Sequence, residues 1–119
     1  MENQKMKRLF AALPLLTGMY LFPPVQAQAQ TVFHLTLKDH HFEPDHLSVP
    51  AGERFIIELE NQDSTTDELE SYDMKFEKII VPGSKIRVHA GPLHPGQYTF
   101  FDDYHPDHAK GTVTAEAKP

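Results

Sequence analysis

The stretch "PAGERFIIELE", Pro50 to Glu60, sets how the rest of the chain is read. Pro50-Ala51-Gly52 is turn chemistry. After it Phe55, Ile57 and Leu59 fall at every second position, the period of a strand with one buried face. The same period recurs outward in both directions. "TVFHLTL" (Thr31 to Leu37) puts Phe33, Leu35 and Leu37 on one face, and "KIRVHA" pairs Ile86 with Val88; "QYTFF" and "GTVTAE" alternate likewise. Turn residues at Pro82-Gly83, Pro95-Gly96 and Gly111 separate these runs. Six to eight short strands punctuated in this way predict an all-β fold, a Greek-key β-sandwich.

The first residues follow a different logic. Lys5, Lys7 and Arg8 precede an apolar run from Leu9 to Phe22, then Pro23-Pro24 and Ala27-Gln28-Ala29. That order is the layout of a secretory signal peptide over 1–29, cleaved after Ala29 or, alternatively, after Ala27. The run is shorter than the roughly 20 apolar residues of a membrane span and is broken by Pro14, so no stable anchor is expected after cleavage. One domain, 30–119, remains.

That domain keeps 16 acidic and 8 basic residues, a balance that argues against nucleic acid and suits attraction of a cation. Cysteine is absent throughout, which removes disulfides, zinc ribbons, iron–sulfur clusters and thiol catalysis. No Ser/His/Asp layout, phosphate loop or zincin motif stands out, so an independent enzyme is not expected, at most an accessory redox component. The polar run "NQDSTTDELESY", Asn61 to Tyr72, breaks the strand pattern and reads as a loop or one turn of helix.

Two long stretches carry a resemblance. "HFEPDHLSVPAGERFIIELEN" resembles the opening of a cupredoxin domain, with its Phe-x-Pro, Val-Pro-Ala-Gly turn and apolar strand ending in Asn. "GPLHPGQYTFFDDYHPDHAKGTVTAE" is similar to the closing half, where Pro-Gly-x-Tyr leads into the metal loop and the last strand. In copper-carrying cupredoxins that loop reads Cys-x-x-His followed by Met, and a second His follows the Asn-ending strand. The resemblance implies Asp102 at the Cys position, His105 at the loop His and His108 near the Met position. The earlier His is missing, and Glu68 and Glu70 stand in that region instead.

Ligand character then decides the chemistry. A blue copper site relies on thiolate, two imidazoles and a weak thioether. Carboxylates with imidazole make a harder site, suited to Cu(II), Fe(III), Fe(II) or Mn(II) rather than Cu(I). The candidate metal ligands are Glu68, Glu70, Asp102, Asp103, His105 and His108, with His105 expected to meet Glu68 or Glu70 at one end of the sandwich. All but His105 have a plainer reading: solvated acids for the glutamates, turn formers for Asp102 and Asp103, a solvent-facing imidazole for His108. Met74 reads as core. "DHHFEPDH" gathers Asp39, His40, His41, Asp45 and His46 into a possible second metal patch.

"ELESYDMKFEKIIVPG", with Glu68, Glu70, Glu77, Lys78, Pro82 and Gly83, together with "FFDDYHPDHAKG", further resembles the EfeO-type cupredoxin domains and FtrB-like periplasmic proteins of bacterial iron uptake. That resemblance implies a periplasmic protein using copper or iron as cofactor, with iron-permease components as partners. The alternative is a metal-free sandwich that docks a permease or oxidase partner.

Overall fold

The computed structural model describes residues 12–14, 17–24 and 29–119. Much of the expected signal peptide, 1–29, therefore lies outside the described residues, and its described parts hold no strand or helix and stand exposed. Among the described residues no helix is long and apolar enough to cross a membrane.

Among the described residues nine strands follow one another: β1 (Thr31–Lys38), β2 (His41–Glu43), β3 (His46–Pro50), β4 (Phe55–Asn61), β5 (Asp67–Ser71), β6 (Phe76–Ile80), β7 (Lys85–Ala90), β8 (Gly96–Asp102) and β9 (Lys110–Glu116). They form two sheets, β2-β1-β4-β7 and β3-β9-β8-β5-β6. Two pairings are parallel, β1 with β4 and β3 with β9, and they close the Greek key by returning the chain across the sandwich.

Alternation drives the packing. Leu35, Leu37, Phe55, Ile57 and Leu59 of the first sheet bury their side chains against Leu69, Ile80, Phe100 and Val113 of the second. Phe42 meets Phe100 edge-on at 5.0 Å, and Phe33 meets Phe55 edge-on at 5.9 Å. All five strands read from the sequence are present. The expected loop or helical turn at Asn61–Tyr72 is corrected, because its second half is strand β5. Asp67, Leu69 and Ser71 point inward there, and with one apolar residue among three the strand period has little hydrophobic signal.

Asn61 turns the end of β4 into the loop before β5. Fully buried, it donates from Nδ2 to the Thr65 and Ile80 carbonyls at 2.8 and 3.1 Å and accepts from the Asp63 amide at 2.9 Å. Asn61→Ala removes all three bonds, one of them to the buried Ile80 carbonyl, so the variant is expected to lose about 2 kcal/mol of stability. Urea unfolding checks this, and a loss under about 1 kcal/mol would mean that water replaces the amide.

Candidate metal centre

One end of the sandwich brings four side chains together: His40, Asp67, Asp102 and His105, whose potential ligand atoms all lie within 4.8 Å of one another. Each arrives by a different route. Asp67 opens β5 and faces inward with Leu69. Asp102 closes β8 opposite Leu69, so it enters on the same inner face. Both carboxylates are fully buried.

The β8–β9 loop folds back so that His105 reaches them. The His105 amide donates to the Asp102 carbonyl at 3.0 Å, and the Ala109 amide donates to the His105 carbonyl at 3.1 Å. Asp102 Oδ1 accepts from the amides of Glu68 and Tyr104, each at 3.1 Å, which fixes the loop against β5. The other oxygen, Oδ2, stands 3.3 Å from His105 Nδ1, and Asp67 Oδ1 stands 2.9 Å from the same nitrogen. Asp67 Oδ2 in turn accepts from the Thr65 hydroxyl at 3.2 Å.

His40 comes from the opposite sheet. It sits in the two-residue turn between β1 and β2, where Asp39 and His40 both take left-handed backbone, φ 51° and 57°. Two positive φ values are what a tight hairpin turn asks for, and non-glycine residues adopt them only when held. The Asp63 carboxylate holds them, accepting from the amides of Asp39 and His40. The His40 ring then stacks on the His105 ring with centroids 3.9 Å apart. Its Nδ1 is buried without a hydrogen-bond partner, the nearest carboxylate oxygen, on Asp63, being 3.6 Å away.

Electrostatics follow from this crowding. Burial raises Asp67 above the ordinary carboxylate value, and Asp102 beside it raises it further. For His105 burial is the largest single influence and pulls downward, but the hydrogen bonds and charges of Asp102 and Asp67 together outweigh it, so its proton is held more tightly than usual.

The stability of the metal-free fold inherits both shifts. With His105 raised, the folded state keeps a proton that the unfolded chain releases near 6.5, so this contribution is whole below 6.5 and is lost as pH rises through the raised value. Asp67, raised from 3.8, has the same sign in a more acidic window. Glu58, lowered chiefly by its hydrogen bond with Arg87, has the opposite sign, but acts near 4.5 and below. Chelator-treated protein should therefore melt at a lower temperature at about pH 9 than at about pH 6, and His105→Gln should flatten that slope. Calorimetry at the two pH values tests it, and equal melting temperatures in the parent chain would sink it.

The expected ligand set is split by the strand period. Asp102 and His105 meet, but not with Glu68 or Glu70, which correct the expected convergence: next to inward-facing Asp67, Leu69 and Ser71, the two glutamates face outward. There they join Asp103 in a separate cluster with ligand atoms within 4.8 Å. Burial, then Asp103, Glu77 and Glu68, raise Glu70; Glu70 is the main reason the Tyr72 hydroxyl is raised. His108 is exposed and belongs to neither cluster. The second patch also divides: His40 enters the inner cluster, His41 is exposed, and His46 Nδ1 lies 2.7 Å from the Thr112 hydroxyl. Met74 is half-buried against the core, as expected.

Comparison with known proteins places this architecture. The family model for the cupredoxin-like domain matches residues 10–115. The chain belongs to the cupredoxin-like domain family. It is 39% identical over 79 residues to an uncharacterized protein of Rickettsia prowazekii (strain Madrid E), covering 66% of this chain and 63%, less than two thirds, of that relative. Among solved structures it is similar to auracyanin A, a "blue" copper protein from Chloroflexus aurantiacus, with a TM-score of 0.65 at 12% identity over 74% of this chain and 100% of that one. It is also similar to the metal-binding domain of the Streptococcus pneumoniae D39 Cu(I)-exporting P-type ATPase CopA, with a TM-score of 0.65 at 14% identity over 71% and 84% of the two chains. At these identities the structures speak for the fold alone.

The donor set fits a metal ion of a particular kind. Two donor atoms about 2 Å from a shared ion lie at most about 4 Å apart. The His105–Asp67 and His105–Asp102 separations already fall inside that span, and the whole cluster needs closing by no more than about 1 Å. His40, whose ring joins the cluster, also carries a buried Nδ1 without a hydrogen-bond partner. With no thiolate present, a blue type 1 copper centre does not fit.

Proposed function

We propose that this chain is an exported, periplasmic metal-binding protein of the cupredoxin-like family that serves iron uptake, with Asp67, Asp102, His105 and His40 as its ligands. The observation that carries the reading is the meeting of two fully buried carboxylates with two imidazoles, one of them with an unpartnered buried nitrogen. Two oxygens and two nitrogens favour Cu(II) over Cu(I) and accept iron. The chain's acidic balance and signal-like first residues support a periplasmic encounter with cations, and the partner in this reading is an iron permease component.

The roles of the side chains follow from their positions. Asp67 and Asp102 supply negative charge in a site that burial keeps from water. His105 gives up its proton when its Nδ1 leaves the carboxylates for an ion, so binding releases a proton and weakens with acid. The Asp63 clasp sets the angle of His40, which completes the site from the other sheet. A bound copper ion would supply a one-electron couple suited to exchange with Fe(II).

Titration of the chain with Cu(II), followed by calorimetry and visible absorption, tests the reading. One ion per chain without the intense blue band of a copper–thiolate bond is expected. Parallel titrations with Fe(II) and Fe(III) rank the metals. One observation favours a second reading: the Asp67–His105–Asp102 hydrogen bonds already close the cluster on itself, with protonated His105 answering the two carboxylates. Failure of every metal to bind stoichiometrically would select that reading, a metal-free docking module.

A further inference from the structure

The outer face of the five-stranded sheet is unusual in its charge. Glu70 of β5 lies directly opposite Glu77 of β6, and Glu68 and Asp103 complete the patch. Like charges directly opposite across strands cost stability. Among the described residues none of these four carboxylates has an ion-pair partner.

Beside them runs an open groove of about 690 Å³, lined by Tyr72, Phe101, Asp103, Pro106 and Asp107, with Lys110 its one cation among the described residues. The two rings are 5.1 Å apart, and Tyr72 is 72% exposed, a large aromatic side chain left in water. The negative field there is strong enough to raise the Tyr72 hydroxyl, chiefly through Glu70.

We propose that this groove docks a basic, arginine- or lysine-bearing segment of a partner protein. Its cations lie over the faces of Tyr72 and Phe101 and are answered by Asp103, Glu70 and Glu77. Charge complementarity identifies the occupant: exposed π faces beside unpaired carboxylates attract guanidinium and ammonium groups and repel acidic partners. Extent points to a chain and not a small amine. The row Glu77–Glu70–Phe101 crosses three neighbouring strands at about 4.8 Å each, so the strip runs roughly 10 Å, the reach of about three extended residues. A cation at every second position of such a segment meets the strip more than once. A metal ion does not account for the aromatic lining.

The docking face is distinct from the inner cluster, so it is tested on the full chain stripped of metal. Amide chemical shifts are followed while a blocked Ala-Arg-Ala-Arg-Ala-Arg peptide is added, with the glutamine analogue as control. Saturable shifts confined to Tyr72, Phe101, Asp103 and their neighbours are expected, weakened several-fold in about 0.5 M salt and absent with the control. Tyr72→Ala and Glu70→Gln should each weaken binding by roughly threefold. Both sites are exposed or outward-facing, so unchanged amide dispersion elsewhere confirms that the variants fold. Absence of saturable shifts, shifts that ignore both substitutions, or equal binding of the control overturns the proposal. Concentration-dependent broadening of the same amides without peptide also overturns it, by making a second copy of the chain the occupant.

Discussion

His105→Ala is expected to remove stoichiometric Cu(II) binding, lowering affinity by roughly 100-fold or more. Among the described residues the imidazole is the one side chain within hydrogen-bonding distance of both buried carboxylates, so an ion held by that pair would sit against its nitrogen. His40→Ala should weaken the same event by a smaller factor, because it removes the ligand contributed across the sandwich and leaves the other three in place. Glu68→Ala with Glu70→Ala should leave it nearly unchanged, since those side chains face the opposite side of β5. His41→Ala with His46→Ala should do likewise. Calorimetric titration of the four variants decides the matter: if the double glutamate variant loses binding while His105→Ala keeps it, the ion sits on the outer face and the inner cluster is a structural network.

Gly111→Val is expected to cost about 3 kcal/mol or more, a large share of a small domain's stability. Gly111 of β9 pairs with Phe100 of β8, whose ring lies across it. A β-carbon at Gly111 would fall 2.1 Å from the nearest ring atom, with two more at 2.4 and 2.8 Å. The ring has nowhere to retreat, being 1% exposed and braced by Phe42. Even Gly111→Ala should be clearly destabilised, and Phe100→Leu in the same chain should relieve part of the clash while paying its own cavity cost. Urea unfolding of the single and double variants reads this. A Gly111→Ala protein with the stability of the parent would show that the sheet yields at this point.

Much of this architecture is legible in the sequence because the core strands carry apolar residues at the strand period: Phe55, Ile57 and Leu59 announce β4, and Leu35 with Leu37 announces β1. Strand β5 is hidden because two of its three inward positions are Asp67 and Ser71. The same fact misdirects the site. A spacing of i and i+2 puts Glu68 and Glu70 together, but the residue that reaches the centre is Asp67, one step out of phase. Its signal was present in the alternation with Leu69, once the segment is taken as a strand. Asp102 and His105 are legible through the resemblance of their loop to the cupredoxin metal loop. His40 is not, because its placement depends on a left-handed turn clasped by Asp63, 23 residues further along the chain.

That clasp makes the candidate centre a seam. His40 and Asp63 belong to the end of the four-stranded sheet, whereas Asp67, Asp102 and His105 belong to the five-stranded one. At this edge two stacked imidazoles bridge the layers where elsewhere apolar side chains interlock. An ion taken up there would act as a rivet through both sheets, and its free energy of binding would be spent on cohesion as well as capture. Occupancy and the opening of the sandwich at that edge would then be two readings of one equilibrium: whatever pries the layers apart would release the ion.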